Sequence, residues 1–294
     1  MTKEIDGAWL VKDYVVCLLD VLNQKEHLNG WSKIPPDGIL TPQFEDAMKK
    51  SVGRVQFVRE QFEAYFRQFE LMQSSAAWLP IYNLSVRQRF RECTLHTQQF
   101  SDTVIFYSPL VTKFGDENVE SVCRILAACA TIMMCALEKH IPLRGAVCIG
   151  PGLEFGKNDF YGPALAQAYE LESKKAEYPR VVVSSELRDF LRSGLFSKDS
   201  DVNQLNVFLA EYCEDLLWDD LDGQIIVDFM GKTFSEIVDE DGKIAPPFQK
   251  VVLETRNFVT SEADRFQQSG NEKLALRYRR LHEYIQSRAD FWCV

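Results

Sequence analysis

Residues Tyr14–Asp20 read Tyr-Val-Val-Cys-Leu-Leu-Asp. The run is apolar without alternation and closes on an acid. That pattern predicts a strand buried on both faces with a carboxylate at its end. Asn23 to Pro42 is polar and holds Gly30, Pro35, Pro36 and Gly38, which predicts a loop. From Pro42 to Gln73 the apolar residues Val55, Val58, Phe62, Tyr65, Phe66 and Phe69 recur at helical spacing, and Pro80 interrupts the pattern. Glu92–Gln99 and Val104–Tyr107 then form two strands around the turn Phe100-Ser101-Asp102. Val119–His140 is a long apolar helix, and Leu143–Ile149 a strand bounded by Gly150, Pro151 and Gly152.

The order strand, helix, strand, strand, helix, strand predicts an α+β fold of the split βαβ, or ferredoxin-like, kind. It has helices against an antiparallel sheet and a helical insertion at about 42–79, after the first strand. Further elements follow: a helix over Gly162–Lys175, a strand over Arg180–Ser184, a helix over Ser185–Ser193, and a strand over Gln224–Phe229 after the turn Asp222-Gly223. One charged amphipathic helix over Ser261–Arg288 makes up a C-terminal extension at about 258–290. With no internal repeat and no long linker, the expectation is one domain over residues 1–294, its core about 12–230. In such a sheet the end of the first strand lies beside the hairpin turn, so Asp20 is expected to face Asp102.

The composition bounds the chemistry. Of 294 residues 46% are hydrophobic and 26% charged, an ordinary globular balance. The net charge of -10 argues against direct nucleic-acid binding, which needs clustered cations. The N-terminus lacks a basic segment followed by an apolar core, and the run Ile125–Leu137 is shorter than the ~20 residues of a spanning helix, so no membrane role is expected. None of the eight cysteines forms a CxxC pair, which fits a reduced, cytoplasmic protein without a zinc or redox motif. The four histidines are scattered, with no hydrolase triad. Gly150-Pro151-Gly152 lacks a following Lys-Ser/Thr and is not a P-loop.

Two carboxylates converging at a sheet edge repel, and a divalent cation removes that penalty. The plainer alternative makes Asp20 a helix N-cap and Asp102 an ordinary turn residue.

The segment Arg144–Ser184 carries an Arg-bearing strand ending in Gly150, the run Asp159-Phe160-Tyr161-Gly162 opening a helix, and a strand ending in Ser184. Together with YVVCLLDVL and QQFSDTVIF it resembles the catalytic domain of class III nucleotide cyclases, over roughly residues 12–230. The resemblance maps the two metal aspartates to Asp20 and Asp102 and a backbone carbonyl ligand to Val21. It implies two ions, Mn²⁺ or Mg²⁺, in each active site. The asparagine and arginine usual in the helix after the glycine are Ala166 and Glu170 here. The usual adenine-reading lysine position is Gln98, and the other base-reading position is Asp159. Those departures, with GPALAQAYELE and an arginine- and tyrosine-rich final helix, are similar to the pyrimidine cyclases of bacterial anti-phage defence. The likeness implies a homodimer with composite sites and conversion of UTP to cyclic UMP, or alternatively of CTP to cyclic CMP. It also implies a product sensed by a separate effector. A purine cyclase, an inactive nucleotide-binding module, and an unrelated interaction scaffold are the competing expectations.

Gln98 and Asp159 are candidate base contacts, against a solvent-facing strand Gln and a helix-capping Asp. Lys157 is a candidate triphosphate contact, against a solvated loop lysine. Arg54, with Arg59 on the inserted helix, is a candidate phosphate or base contact. Arg87, Arg89 and Arg91 form a cationic patch best read as a solvated face. Arg277, Arg279, Arg280 and Arg288 on the final helix are expected to brace a dimer, meet a partner, or simply face water.

Overall fold

The computed structural model describes residues 10–31, 39, 41–74, 93–155, 159–237, 239–240, 243–244 and 246–292. Lys157, Pro80 and the patch Arg87, Arg89 and Arg91 lie outside them.

The first strand, β1 (Lys12–Val21), is followed by a short helix α1 (Gln24–Leu28) and the long helix α2 (Pro42–Ser74). The hairpin β2 (His96–Phe100) and β3 (Thr103–Pro109) turns on Ser101 and Asp102 alone. Ser101 sits at φ 57, as the first central position of a two-residue hairpin demands. Helix α3 (Val119–Glu138) is N-capped by the Asn118 side chain, which accepts from the Ser121 N–H. Strand β4 (Leu143–Phe155) runs straight through the Gly-Pro-Gly run expected to end it and pairs with the short β5 (Asp159–Tyr161).

Helix α4 (Pro163–Lys175) and strand β6 (Val181–Val183) follow, then α5 (Ser185–Arg192) and α6 (Ser200–Asp215). Next come β7 (Leu217–Asp219), β8 (Ile225–Val227) and α7 (Lys232–Ile237). A small ribbon of β9 (Asp239–Glu240) and β10 (Lys243–Ile244) leads to α8 (Pro246–Gln268) and α9 (Glu272–Gln286). The expected single C-terminal helix is therefore two. Gly270, at φ 71, and the N-cap Asn271 break it, and the extension begins earlier, at Pro246.

The fold is α+β. Its eight-stranded sheet runs β2-β3-β1-β4-β6-β8-β7, with β5 attached to β4. All its pairs are antiparallel except β4 with β6. Because β1 is covered on both faces, its apolar run shows no alternation, yet its residues still divide by parity. Val15, Cys17, Leu19 and Val21 join the large core with α2 and α3, and Tyr14, Val16 and Leu18 pack with Phe160 and with Ala164 and Ala168 of α4. Phe62 of α2 stacks on Phe106 of β3 at 3.8 Å, and Cys17 Sγ lies 3.3 Å from Cys129 Sγ of α3. Among the described residues one helix, α3, is long and apolar enough to cross a membrane, and 89% of its most apolar stretch is buried inside the fold.

Candidate functional site

Asp20 belongs by parity to the Tyr14 face and sits where that stripe runs out. It lies between Thr103 of β3 and Arg144 of β4, its direct partners on either side. Thr103 Oγ1 donates to Asp20 Oδ1 at 3.2 Å, and Arg144 Nε donates to Asp20 Oδ2 at 3.3 Å. At the last residue of the strand, the Val21 N–H donates to the Asp102 carbonyl at 3.1 Å, which fastens the hairpin turn to the end of β1. The structure therefore brings Asp20, Val21 and Asp102 together.

A third carboxylate was not foreseen. Glu172 of α4 is buried in line with Ala164 and Ala168, and its Oε1 forms an ion pair with Arg144 Nε. That single N–H is directed to Asp20, so Glu172 Oε1 receives the charge without a hydrogen bond. Burial raises the pKa of Asp20. Arg144 pulls it back down, while the Asp102 charge adds to the rise. Glu172 is likewise raised by burial, lowered by Arg144, and raised further by Asp20 and Asp102. The edge thus holds more negative charge than its one arginine neutralises.

Glycine makes room beneath this edge. A Cβ on Gly145 would lie 2.3 Å from the Leu18 carbonyl oxygen, so β4 approaches β1 closely only because residue 145 has none. At the far end Phe160 of β5 lies over the sheet, 4.4 Å from the Tyr107 ring and 4.9 Å from that of Tyr14. Its N–H donates to Gln98 Oε1 at 3.1 Å, so Gln98 of β2 meets the strand that carries the exposed Asp159. Gln98 and Asp159 are brought near one another. The Gln98 oxygen is taken by the backbone, and Asp159 stands in a strand rather than capping α4, whose N-cap is Gly162.

Arg54 lies on α2 with its guanidinium engaged. Nη1 donates to His27 Nε2 at 2.6 Å, and Nη2 donates to the His140 carbonyl just past the end of α3. Burial lowers its pKa. Ala166 and Glu170 point outward on α4, where Glu170 pairs with Lys174 at 2.7 Å.

The donor set fits a hard cation that brings ligands of its own. Among the described residues no three or more His, Cys, Asp or Glu converge as a metal cage. Mg²⁺ and Mn²⁺ are commonly held by one or two carboxylates, with water and phosphate oxygens completing the shell. Asp20 and Asp102 offer that much, provided Arg144 releases Asp20 Oδ2. Cavities of about 340 to 390 Å³ lie elsewhere, one between α2 and β2 and another between β7 and α9. Neither Asp20 nor Asp102 lines those described.

No protein-family model matches the chain. No curated protein matches it significantly.

Proposed function

We propose that the chain is a ferredoxin-like nucleotide cyclase of the class III kind that converts UTP to 3′,5′-cyclic UMP and pyrophosphate. The observation that carries this reading is the junction of Asp102 with the end of β1. It brings Asp102 to the residue that follows Asp20, near enough for its charge to raise the pKa of the buried Asp20, and a cation would relieve that repulsion. The strand order β2-β3-β1-β4 supports it, since that is the order a split βαβ core requires.

The reaction is an in-line displacement. The ribose 3′-oxygen bonds to the α-phosphorus as its proton passes to water. The bond from that phosphorus to the bridging oxygen breaks, and pyrophosphate leaves with the electron pair. Acidification of the 3′-hydroxyl and neutralisation of the leaving group would be supplied by Mn²⁺ or Mg²⁺ when bound. Asp20, Asp102 and the Val21 carbonyl would hold the ions. Thr103 orients Asp20 through its hydroxyl, and Arg144 balances charge. In this reading Gln98 and Asp159 meet the base and Lys157 the triphosphate, while Arg54 becomes a nucleotide contact only by leaving His27 and the His140 carbonyl. A homodimer with composite sites, each completed by a second copy, belongs to the same proposal. A cytoplasmic enzyme whose cyclic product reaches a separate effector in anti-phage defence completes the proposal, with CTP the runner-up substrate.

A second reading, an inactive nucleotide-binding module, is favoured by Arg144 occupying Asp20 Oδ2 and by Ala166 and Glu170 facing solvent. One experiment decides between them. The purified chain is incubated with each ribonucleoside triphosphate and Mn²⁺, and products are identified by mass. Cyclic UMP supports the cyclase, cyclic CMP moves the substrate to CTP, and no cyclic product from any triphosphate supports the inactive module.

A further inference from the structure

Glu172 stands where a carboxylate is costly. It is 3% exposed and lies in the last turn of α4, where the helix dipole disfavours an acid. Its Oε1 accepts no hydrogen bond among the described residues, and an unmet buried acceptor carries a penalty. Its cation is Arg144, whose Nε pairs with that same oxygen. A pair kept only to hold α4 on the sheet would turn the Nε–H to Glu172. The N–H is instead given to Asp20 Oδ2 at 3.3 Å. One donor thus stands between two acceptors, and the deeper of the two goes without.

The backbone on either side of this donor is pinned. Asp20 lies opposite Arg144 and Leu19 opposite Gly145, and the Gly145 N–H donates to the Arg180 carbonyl at 3.0 Å. Asp20 has a second hold, since Thr103 Oγ1 donates to its Oδ1 at 3.2 Å. Passing the Arg144 N–H from Asp20 to Glu172 therefore needs a turn of one side chain and no shift of a strand. It opens Asp20 Oδ2 and leaves Asp20 oriented by Thr103.

We infer that Glu172 is a positioning residue that takes the Arg144 Nε–H when a divalent cation occupies Asp20. The inference rests on the proposed metal site and names what draws the arginine away from it. Without Glu172 the guanidinium and the cation compete for one carboxylate oxygen. With it, the charges of Asp20, Asp102 and Glu172 are matched by one guanidinium and one divalent ion.

The test is a titration of the full chain with Mg²⁺ alone, followed by calorimetry and by the nitrogen-15 resonance of the Arg144 Nε–H, assigned by its loss in Arg144→Lys. At saturating Mg²⁺ exchange of that proton with water is expected to slow by about 10-fold or more, because its acceptor changes from the half-buried Asp20 to the buried Glu172. In Glu172→Met, which offers no acceptor, exchange quickens with Mg²⁺ and the affinity for Mg²⁺ falls about 10-fold, the scale of one contact in a coupled network. Glu172→Gln, which keeps an acceptor without the charge, falls between. Faster exchange in wild type on binding Mg²⁺ overturns the inference, as does wild-type affinity in Glu172→Met. The wild-type exchange needs no altered chain, so it decides even if Glu172→Met does not fold. Asp20→Asn separates the two ideas. Undiminished Mg²⁺ binding by that variant, or none by wild type, removes the metal-dependent reading itself. Binding lost in Asp20→Asn, with faster Arg144 exchange in wild type, keeps the metal site and removes the role of Glu172.

Discussion

The Val21 N–H and the Asp102 carbonyl are hydrogen-bonded at 3.1 Å, closing the β2–β3 turn onto the end of β1. Because the link is backbone to backbone, substitution of either aspartate side chain leaves the junction in place. Asp20→Asn and Asp102→Asn are therefore expected to keep the wild-type circular dichroism spectrum. Each is expected to lose about 10²–10³-fold in cyclic-nucleotide formation, the usual scale for one electrostatic group at a reacting centre. The double variant should lose little more than either single one, because the two act as a unit. Product quantified by mass in the presence of Mn²⁺ checks this, and near-wild-type turnover in both variants removes the metal assignment.

Acid should favour the folded chain at this edge. The folded pKa values of Asp20 and Glu172 lie above their ordinary values, chiefly through burial. A raised carboxyl contributes stability that is fully present below the unfolded pKa and is lost as pH rises through the folded one. Asp20→Asn should therefore melt above wild type near neutrality, and the gain should shrink as pH falls toward the ordinary carboxylate range. Melting curves across that range give the answer, and a gain that grows on acidification contradicts it.

Two glycine substitutions should have opposite signs. Gly145→Ala forces a Cβ within 2.3 Å of the Leu18 carbonyl oxygen and 2.7 Å of Leu19 Cδ2, and is expected to cost about 3 kcal/mol. Gly53 lies inside α2, where an added Cβ would meet only Lys49 Cβ at 3.9 Å. Gly53→Ala should stabilise by up to ~1 kcal/mol through helix propensity. Urea unfolding midpoints measure both, and a Gly145→Ala midpoint equal to wild type would show that the strands are not so closely packed.

Arg180, 1% exposed, is tied to Asp220, to Asp222 Oδ2 at 2.5 Å and to the Lys175 carbonyl at 2.6 Å. Arg180→Met strands the largely buried Asp220 without its cation and should cost about 3 kcal/mol. The half-exposed Asp222 adds little because water screens it. A loss under ~1 kcal/mol in denaturant titration would mean that the network is worth no more than a surface pair.

The main frame was legible because its signals are local and strong. The apolar run of β1, the hairpin and the capped apolar helix α3 all lie where the pattern sets them, with boundaries shifted by a few residues. Asp102 was expected at the turn and is found there. Helix α6 was missed although Val202, Leu205, Leu209 and Cys213 recur at helical spacing behind Asp199, whose side chain accepts from Asp201 N–H and Val202 N–H. Its cap and its stripe were both readable. Strands β5 and β7 are three residues each and owe their form to the strands beside them, so no periodicity could announce them. Gly270 marked the break between α8 and α9. Glu172 and Arg144 could not have been grouped from sequence, because α4 and β4 meet only in the folded chain.

Asp20 owes its place to counting along one strand. Adding or deleting a single residue between Tyr14 and Asp20 would swing the acid through to the α2–α3 side and turn Leu19 (on insertion) or Val21 (on deletion) toward Thr103 and Arg144. Length in this segment is thus as much a determinant of the chemistry as the identity of the acid. Drift within the family of sequences that keep this edge working should proceed there by exchange of one apolar residue for another, never by insertion.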